Sequence, residues 1–284
     1  MFVYSGLLLR AETEDELALV LAHENAHFIE NHSLERDAAA KNANVGNLVF
    51  SVATLGYGGL LSSVIAASAY SDFSKDNEHE ADNQGIVRIG ELGYDQNQAI
   101  DIWTNLLDER QASTNKKARK RATKSPIFGT HPSSPERIKQ MQALVTSENK
   151  ITSQSKAEYR AKIRPHLLQW FDAELQQRDF GSTLHLIDRM EAVPGDEGKL
   201  NYIRGRVFQL RNEGEDSINV VKAFEMASKH SDAPTRLWRD LGDVYQSKGD
   251  SEKAITAFKT YIRKDPSASD KALIEFMIKD LEGV

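Results

Sequence analysis

The stretch Thr13-Glu-Asp-Glu-Leu-Ala-Leu-Val-Leu-Ala-His-Glu-Asn-Ala-His27 decides how the N-terminal half of this chain folds. Thr13 with Glu16 three residues later forms a capping-box pattern, and apolar residues then recur at helical spacing. The pattern predicts a helix that begins just after Thr13. Because residues four apart lie on one helical face, the imidazoles of His23 and His27 can reach one metal ion.

Glu24 follows the first histidine directly and lies roughly 100° away around the helix. Its carboxylate can therefore address a metal-bound water instead of the metal, which is the arrangement of the zinc-peptidase motif His-Glu-x-x-His. A pattern of five residues also arises by chance on helices that contain histidine. In that interpretation His23 and His27 are two surface histidines, so the metal site needs support from a second motif.

A second cluster, Asn77-Glu-His-Glu-Ala-Asp82, supplies that support. A catalytic zinc site uses three protein ligands and keeps one open position. We expect Glu78 to be the third ligand. Asp82, one turn later on the same face, is expected to hold a ligand histidine by its free N–H. Glu80 is the substitute ligand if Glu78 does not bind the metal.

The composition narrows the classes of protein further. The chain has 284 residues, 40% of them apolar and 27% charged, which is typical of a soluble globular protein with room for two domains. Its formal net charge of −6 argues against nucleic acid as a partner, because phosphate binding needs a surplus of Lys and Arg. The absence of cysteine excludes thiolate zinc ligands and cysteine nucleophiles.

The C-terminal half predicts pairs of helices. The clearest pair begins with Trp238-Arg-Asp-Leu-Gly-Asp-Val-Tyr245 and ends near Pro266, which is the signature of a tetratricopeptide repeat. Residues 164–194 form a third, degenerate pair. A weaker copy of the signature lies between the two, at Gly205, Phe208, Phe224 and Ala227.

We therefore predict a mainly α protein of two domains. Residues 1–148 are expected to form an α+β catalytic domain with a small sheet, in which Met1–Leu9 is a β-strand. Residues 149–284 are expected to form tetratricopeptide-like helical repeats. No basic leader or cleavage site precedes the strand, so we expect that sequence before Met1 is missing.

Residues 42–71 carry no charged side chain. Leu48–Tyr70 is long enough to cross a bilayer, but Gly56-Tyr-Gly-Gly59 divides it into two halves. We expect two short buried helices joined by a glycine turn. The alternatives are a flap over the site or a hairpin that contacts membrane through residues 45–70.

The chain resembles the gluzincin metallopeptidase family that includes HtpX and the CAAX prenyl proteases. Within that family it is similar to the bacterial periplasmic β-barrel assembly-enhancing protease type, which has a tetratricopeptide tail. The stretches that carry the resemblance are Phe2-Val-Tyr-Ser-Gly-Leu7, Leu21-Ala-His-Glu-Asn-Ala-His27, Glu78-His-Glu-Ala-Asp82, and Thr130-His-Pro132 with Arg137.

The resemblance implies one Zn²⁺ per chain. It places the metal on His23, His27 and Glu78, with Glu24 as general base toward zinc-bound water and Asp82 behind a ligand. It also implies that the first strand lines the substrate cleft and that sequence precedes it.

His131 is a further candidate, because a histidine in this Thr-His-Pro context lies close to the metal in related proteins. It could donate to the oxyanion, or occupy the open zinc position and keep the site latent. The alternative is a loop histidine that caps the helix after it.

The sequence is compatible with two functions. The first is a periplasmic zinc endopeptidase that hydrolyses unfolded or misassembled envelope proteins, with repeats that bind substrate or outer-membrane assembly proteins. The second is a tetratricopeptide binding or chaperone module whose zinc site is latent or inactive. The complete set of Glu24 and three ligands favours the enzyme, because a structural zinc site has four closed protein ligands and needs no base.

Overall fold

The structure is a computed structural model that describes residues 3–30, 75–114, 134–146 and 155–283. Within these ranges every regular element is helical, and no strand is present. The prediction of an α+β catalytic domain with a small sheet is therefore wrong, whereas a mainly α protein agrees with the structure. The chain divides into two compact units, Met1–Ile163 and Arg164–Val284.

The segment predicted as the first strand forms a short helix instead, α1, Ser5–Arg10. The described part of the chain offers no strand to pair with it, so its backbone groups bond locally: the amide N–H of Leu7 donates to the Tyr4 carbonyl at 3.0 Å. Leu7 and Leu9 are buried, and their leucine side chains favour a helix at least as well as a strand. The prediction of a strand over Met1–Leu9 is therefore wrong for the residues that the structure describes, from Val3 onward.

The first unit contains five further helices within the described residues. They are α2, Glu14–Ile29; α3, Lys75–Glu91; α4, Gln96–Ala112; α5, Pro135–Ala143; and α6, Lys156–Ile163. The Thr13 hydroxyl accepts the Glu16 N–H at 3.2 Å, which confirms the predicted cap. The Ser134 hydroxyl likewise accepts the Arg137 N–H at 3.2 Å and begins α5.

The core of this unit forms where α2 packs against α3 and α4. Helix α5 packs against the same two helices, α3 and α4. The side chains that fill this core are almost completely buried, among them Leu19, Val20, Ala81, Ile86, Ile89, Ile102, Trp103 and Met141. The helix that carries the two histidines therefore packs against α3 and α4 through apolar side chains.

A buried ion pair also connects helices of the first unit. Arg10 at the end of α1 donates to Glu109 of α4, with Nη2 2.7 Å from Oε1, and its Nη1 donates to the Gly6 carbonyl at 3.0 Å. Tyr159 of α6 donates its hydroxyl to the Leu8 carbonyl at 3.1 Å. These bonds attach both sequence ends of the unit to the same core.

The second unit consists of consecutive helices, and each one packs against a neighbour in sequence. A 3₁₀ turn at Arg164–His166 precedes them; they are α7, Leu167–Gln176; α8, Phe180–Met190; α9, Glu197–Arg211; α10, Asp216–Ala227; α11, Arg236–Ser247; α12, Ser251–Lys264; and α13, Lys271–Glu282. The assignment of these helices to tetratricopeptide-like repeats stays a prediction.

Two contacts in this unit place a glycine against a phenylalanine ring. A Cβ added at Gly205 of α9 would meet Phe224 of α10 at 2.3 Å, and one at Gly242 of α11 would meet Phe258 of α12 at 2.4 Å. Both rings are fully buried. The absence of a side chain on each glycine thus permits the close approach of the two helices.

Several predictions fall outside the described residues. These are the glycine-divided segment with its proposed membrane contact at 45–70, the strand residues before Val3, and His131 with its loop. Among the residues that the structure does describe, none of the helices combines the length and apolar character needed to span a bilayer.

We predict that Gly205→Ala destabilises the second unit. In an ordinary helix this change is stabilising by about 1 kcal/mol, but here the new methyl group overlaps the buried Phe224 ring. Overpacking of this kind costs about 1–3 kcal/mol, measured as a lower urea midpoint of the full chain by circular dichroism. Gln209→Ala, one turn along the same helix and exposed, is the control and should change the stability by less than about 0.5 kcal/mol. Equal midpoints for the two variants would contradict the proposed close contact.

Candidate metal centre

Two histidines on α2 face each other at the centre of the first unit. His23 is fully buried and His27 is 4% exposed, so neither is a surface histidine. Their Nε2 atoms lie 3.1 Å apart, because a spacing of four residues places them on one face of the helix. Two imidazole nitrogens at this separation can share one metal ion.

Glu78 of α3 completes a group of three ligand atoms. Its Oε1 lies 3.4 Å from His27 Nε2, and its Oε2 lies 3.8 Å from His23 Nε2. The carboxylate is 4% exposed. One ligand atom from each of the three residues lies within 4.8 Å of the others, so this group has the donors and the spacing to hold a metal ion.

Gly85 explains how α3 comes so close to α2. A Cβ at this position would lie 3.2 Å from the backbone nitrogen of His23. Glu78 lies beside His27, and Gly85 lies beside His23 and Leu19, so the two helices run antiparallel at this contact. The missing side chain lets α3 approach the histidine helix far enough for its glutamate to reach both imidazoles.

Asp82 lies behind His23 on the side away from Glu78. Its Oδ1 is 3.0 Å from His23 Nδ1, within hydrogen-bond distance, and the residue is 2% exposed. A carboxylate on one ring nitrogen fixes the orientation of the imidazole and directs the other nitrogen to the metal. The structure thus places Asp82 where the sequence had predicted an acceptor for a ligand histidine.

Arg137 of α5 joins both carboxylates. Its Nε and Nη2 lie 2.6 Å and 2.8 Å from the two oxygens of Asp82, and its Nη1 lies 2.8 Å from Glu78 Oε2. The residue is 5% exposed. The sequence had marked Arg137 as part of a resemblance without assigning it a function, because nothing in a local pattern shows which residues it contacts.

These contacts set the charge states at the site. Burial by itself raises the pKa of the Asp82 carboxyl, but hydrogen bonds from Arg137 and His23 outweigh it and hold that pKa below its usual value. Burial likewise acts to lower the pKa of Arg137, yet the bonds to Asp82 and the charges of Glu78 and Glu24 raise it. Asp82 is therefore an anion and Arg137 a cation at neutral pH.

Trp103 of α4 forms one wall of the site. Its ring lies edge-on to the His23 ring at 5.5 Å between centroids, and the Arg137 guanidinium carbon lies 5.1 Å from its centroid. At 1% exposure, Trp103 is also a core anchor of its helix. Only the fold reveals that this anchor also contacts the metal centre.

The other candidates occupy different positions. Glu24 is half-buried and interacts electrostatically with Arg137, which places its charge near the site. Glu80, the substitute ligand, is exposed and is not part of the metal-holding group. His131 lies outside the described residues. The roles of Glu24 and His131 stay predictions.

A second group of potential ligands lies in the other unit, at Glu197, His230 and Asp232. These side chains are only partly buried. Both Asp232 oxygens accept backbone N–H groups at the start of α9, from Gly198 at 3.0 Å and Lys199 at 3.1 Å. A helix N-terminus carries a positive partial charge and is a poor place for a cation, so the buried group on α2 and α3 is the stronger metal site.

A buried pair of histidines on a His-Glu-x-x-His helix, with a glutamate from a second helix beside them, is the arrangement expected of a metallopeptidase. The profile of Peptidase family M48 matches residues 1–145. The chain belongs to that family.

Individual relatives agree with this classification. The chain is 32% identical over 146 residues, 48% of its length, to a Vibrio cholerae protein assigned as a beta-barrel assembly-enhancing protease. It is 33% identical over 144 residues, 50% of its length, to the mitochondrial metalloendopeptidase OMA1 of Schizosaccharomyces pombe. To the protein of the same name from Saccharomyces cerevisiae it is 28% identical over 156 residues, 55% of its length. The match covers 28%, 40% and 44% of these relatives in turn, so the chain spans less than half of each.

We predict that Glu78→Gln lowers the zinc affinity of the chain by more than about 100-fold. The neutral amide is a poor zinc ligand, and even the loss of a group behind a ligand costs about 10–100-fold. Competition with a chromogenic zinc chelator measures the change. Glu80→Gln is the matched control, because it removes an exposed carboxylate two residues away and should leave the affinity within about threefold of the parent. A larger loss in Glu80→Gln than in Glu78→Gln would show that the ligand had been misassigned.

Proposed function

We propose that the chain is a zinc-dependent endopeptidase whose metal is held by His23, His27 and Glu78. The observation that supports this most directly is the burial of all three ligand groups within 4.8 Å of one another. Membership of Peptidase family M48 supports the same reaction class.

The donor set fits zinc. Two imidazoles and one carboxylate are a common catalytic zinc set, and three protein ligands leave a position open for water or substrate. Asp82 at 3.0 Å from His23 Nδ1 supplies the oriented partner that zinc-binding histidines usually have. When bound, zinc supplies a Lewis acid that polarises the scissile carbonyl and lowers the pKa of its bound water to about 7.

Glu24 is proposed as the general base. It takes a proton from the attacking water and returns it to the amine that leaves. Its place next to His23 on α2 keeps it beside the ligands, and its half-buried side chain leaves it within reach of substrate.

His131 is proposed to act close to the metal as well, either as an oxyanion donor or as a fourth ligand that keeps the site latent. The support comes from the sequence: its Thr-His-Pro context, and a position six residues before Arg137, whose side chain contacts Glu78. These two roles predict opposite effects of its removal.

The substrates are proposed to be unfolded or misassembled envelope proteins, and the location the periplasm. The resemblance to beta-barrel assembly-enhancing proteases supports both, and it suggests outer-membrane assembly proteins as partners of the C-terminal helices. We propose that residues 1–148 form the catalytic domain and residues 149–284 form tetratricopeptide-like repeats. The packing of Gly205 and Gly242 against buried phenylalanine rings supports the repeat assignment.

A binding or chaperone module with a latent zinc site is the second candidate. The helical second unit favours it, since stacked helix pairs commonly bind polypeptides. Zinc content does not separate the two functions, because both bind the metal. Turnover separates them.

We predict that the zinc-loaded chain hydrolyses casein and that Glu24→Gln abolishes the hydrolysis while zinc remains bound. The amide cannot accept the proton of water, so the rate should fall by at least about 100-fold. Fluorescently labelled casein reports the rate, and metal analysis of the same sample reports zinc. Asn25→Ala, an exposed change at the next position, is the control and should retain activity. Activity in Glu24→Gln equal to the parent would refute its role as base.

His131→Ala distinguishes a competent site from a latent one. If the histidine is a fourth ligand, we expect activity to rise in the variant, because an open position becomes available. If it donates to the oxyanion, we expect activity to fall by about 100-fold or more. The same casein assay measures both. No hydrolysis by the parent or by His131→Ala, with zinc bound in each, would favour the binding module.

A further inference from the structure

Arg137 forms ion pairs with both buried carboxylates of the candidate metal centre. Three of its nitrogens are within 2.8 Å of those oxygens, one on Glu78 and two on Asp82. At 5% exposure it is poorly placed to touch a polypeptide substrate. Its contacts indicate that it acts on the ligands.

The ion pair with Glu78 distinguishes the two oxygens of that carboxylate. Arg137 Nη1 holds Oε2 at 2.8 Å, and Oε1 is then the oxygen nearer to His27, at 3.4 Å. A carboxylate held in this way presents a single oxygen to an ion between the histidines. Coordination through one oxygen keeps a position open for water, as a catalytic zinc site requires.

The hydrogen bonds from Arg137 to Asp82 act on the other part of the site, the imidazole of His23. The guanidinium binds both oxygens of Asp82 side-on, and Asp82 in turn faces His23 Nδ1 at 3.0 Å. One side chain therefore orients a carboxylate ligand directly and an imidazole ligand through a second carboxylate. It is anchored by α5, where the Ser134 cap holds the Arg137 backbone, and by the Trp103 ring at 5.1 Å.

We propose that Arg137 is a positioning residue that raises the zinc affinity of the site and restricts Glu78 to coordination through Oε1. The inference depends on the proposed function for the identity of the metal. The gain in zinc affinity depends on the planar, forked set of N–H donors of the guanidinium. A lysine ammonium is a point charge and cannot bind Asp82 side-on while it also holds Glu78.

The sign of the effect tests the proposal, because Arg137 also acts as a charge. A cation beside the site repels zinc, so its removal would tighten zinc binding if charge alone mattered. Its removal also frees both carboxylates to rotate, which would weaken binding. We expect positioning to dominate and the affinity to fall by about 10–100-fold, the range for groups that orient zinc ligands.

The experiment measures the zinc affinity of the full chain by chelator competition for the parent, Arg137→Gln and Arg137→Lys. Arg10→Gln is the matched control: it also removes a buried arginine from an ion pair in the first unit, but its partner Glu109 is not at the metal centre. We expect Arg137→Gln to lose affinity, Arg137→Lys to recover only part of it, and Arg10→Gln to keep parental affinity. Tighter binding in Arg137→Gln would overturn the proposal, and full recovery in Arg137→Lys would refute the role of the fork.

A second readout separates positioning from substrate binding. With zinc saturating, Arg137→Gln should lower kcat by about tenfold or more and change KM by less than about twofold, because the buried guanidinium does not reach substrate. A rise in KM with unchanged kcat would contradict the assignment. The zinc measurement is independent of turnover, so zinc binding without casein cleavage by both the parent and His131→Ala would count against the peptidase and leave the test of Arg137 intact.

A further pair of variants covers the case in which Arg137→Gln does not fold. Removal of the arginine leaves the Asp82 carboxylate buried without its cation, which is strongly destabilising. Asp82→Asn removes that charge, so Asp82→Asn combined with Arg137→Gln should fold, and it is compared with Asp82→Asn alone. A further loss of zinc affinity in the double variant isolates the bond to Glu78. Equal affinities for the two would show that Arg137 has no effect on Glu78.

Discussion

The burial of two carboxylates between α2, α3 and α5 is the constraint on which the first unit depends. Removing a charged group from water costs several kcal/mol unless an opposite charge and hydrogen bonds compensate for it. Arg137 provides that compensation to Glu78 and Asp82 together, and His23 faces Asp82 from the other side. The position of α5 is therefore coupled to the positions of Glu78, the proposed ligand, and Asp82 on α3.

Close backbone packing makes this arrangement geometrically accessible. Gly85 lets α3 approach the backbone of His23, and Trp103 closes the site from α4. Both histidines are consequently withdrawn from water, with their Nε2 atoms 3.1 Å apart. Exclusion of water from a site strengthens the electrostatic interactions within it, which suits both the binding of a divalent ion and proton transfer.

A local signal in the sequence predicted the start of the histidine helix correctly. Thr13 accepts the Glu16 N–H as its capping pattern predicted, because a cap depends on residues only three positions apart. The segment Met1–Leu9 was assigned wrongly for a related reason. An apolar run reports burial, whereas a strand also needs a partner strand, and a local pattern carries no information about that partner.

The sequence by itself determined the spacing of His23 and His27, since the 3.6-residue period of a helix places residues four apart on one face. It also pointed to the cluster from Glu78 to Asp82 as the source of further ligands. Only the tertiary structure decided that Glu78 is buried at the histidines while Glu80 is exposed, and that Arg137 and Trp103 belong to the same site. These contacts join residues from separate helices, and their geometry follows from how the helices pack, which no local pattern encodes.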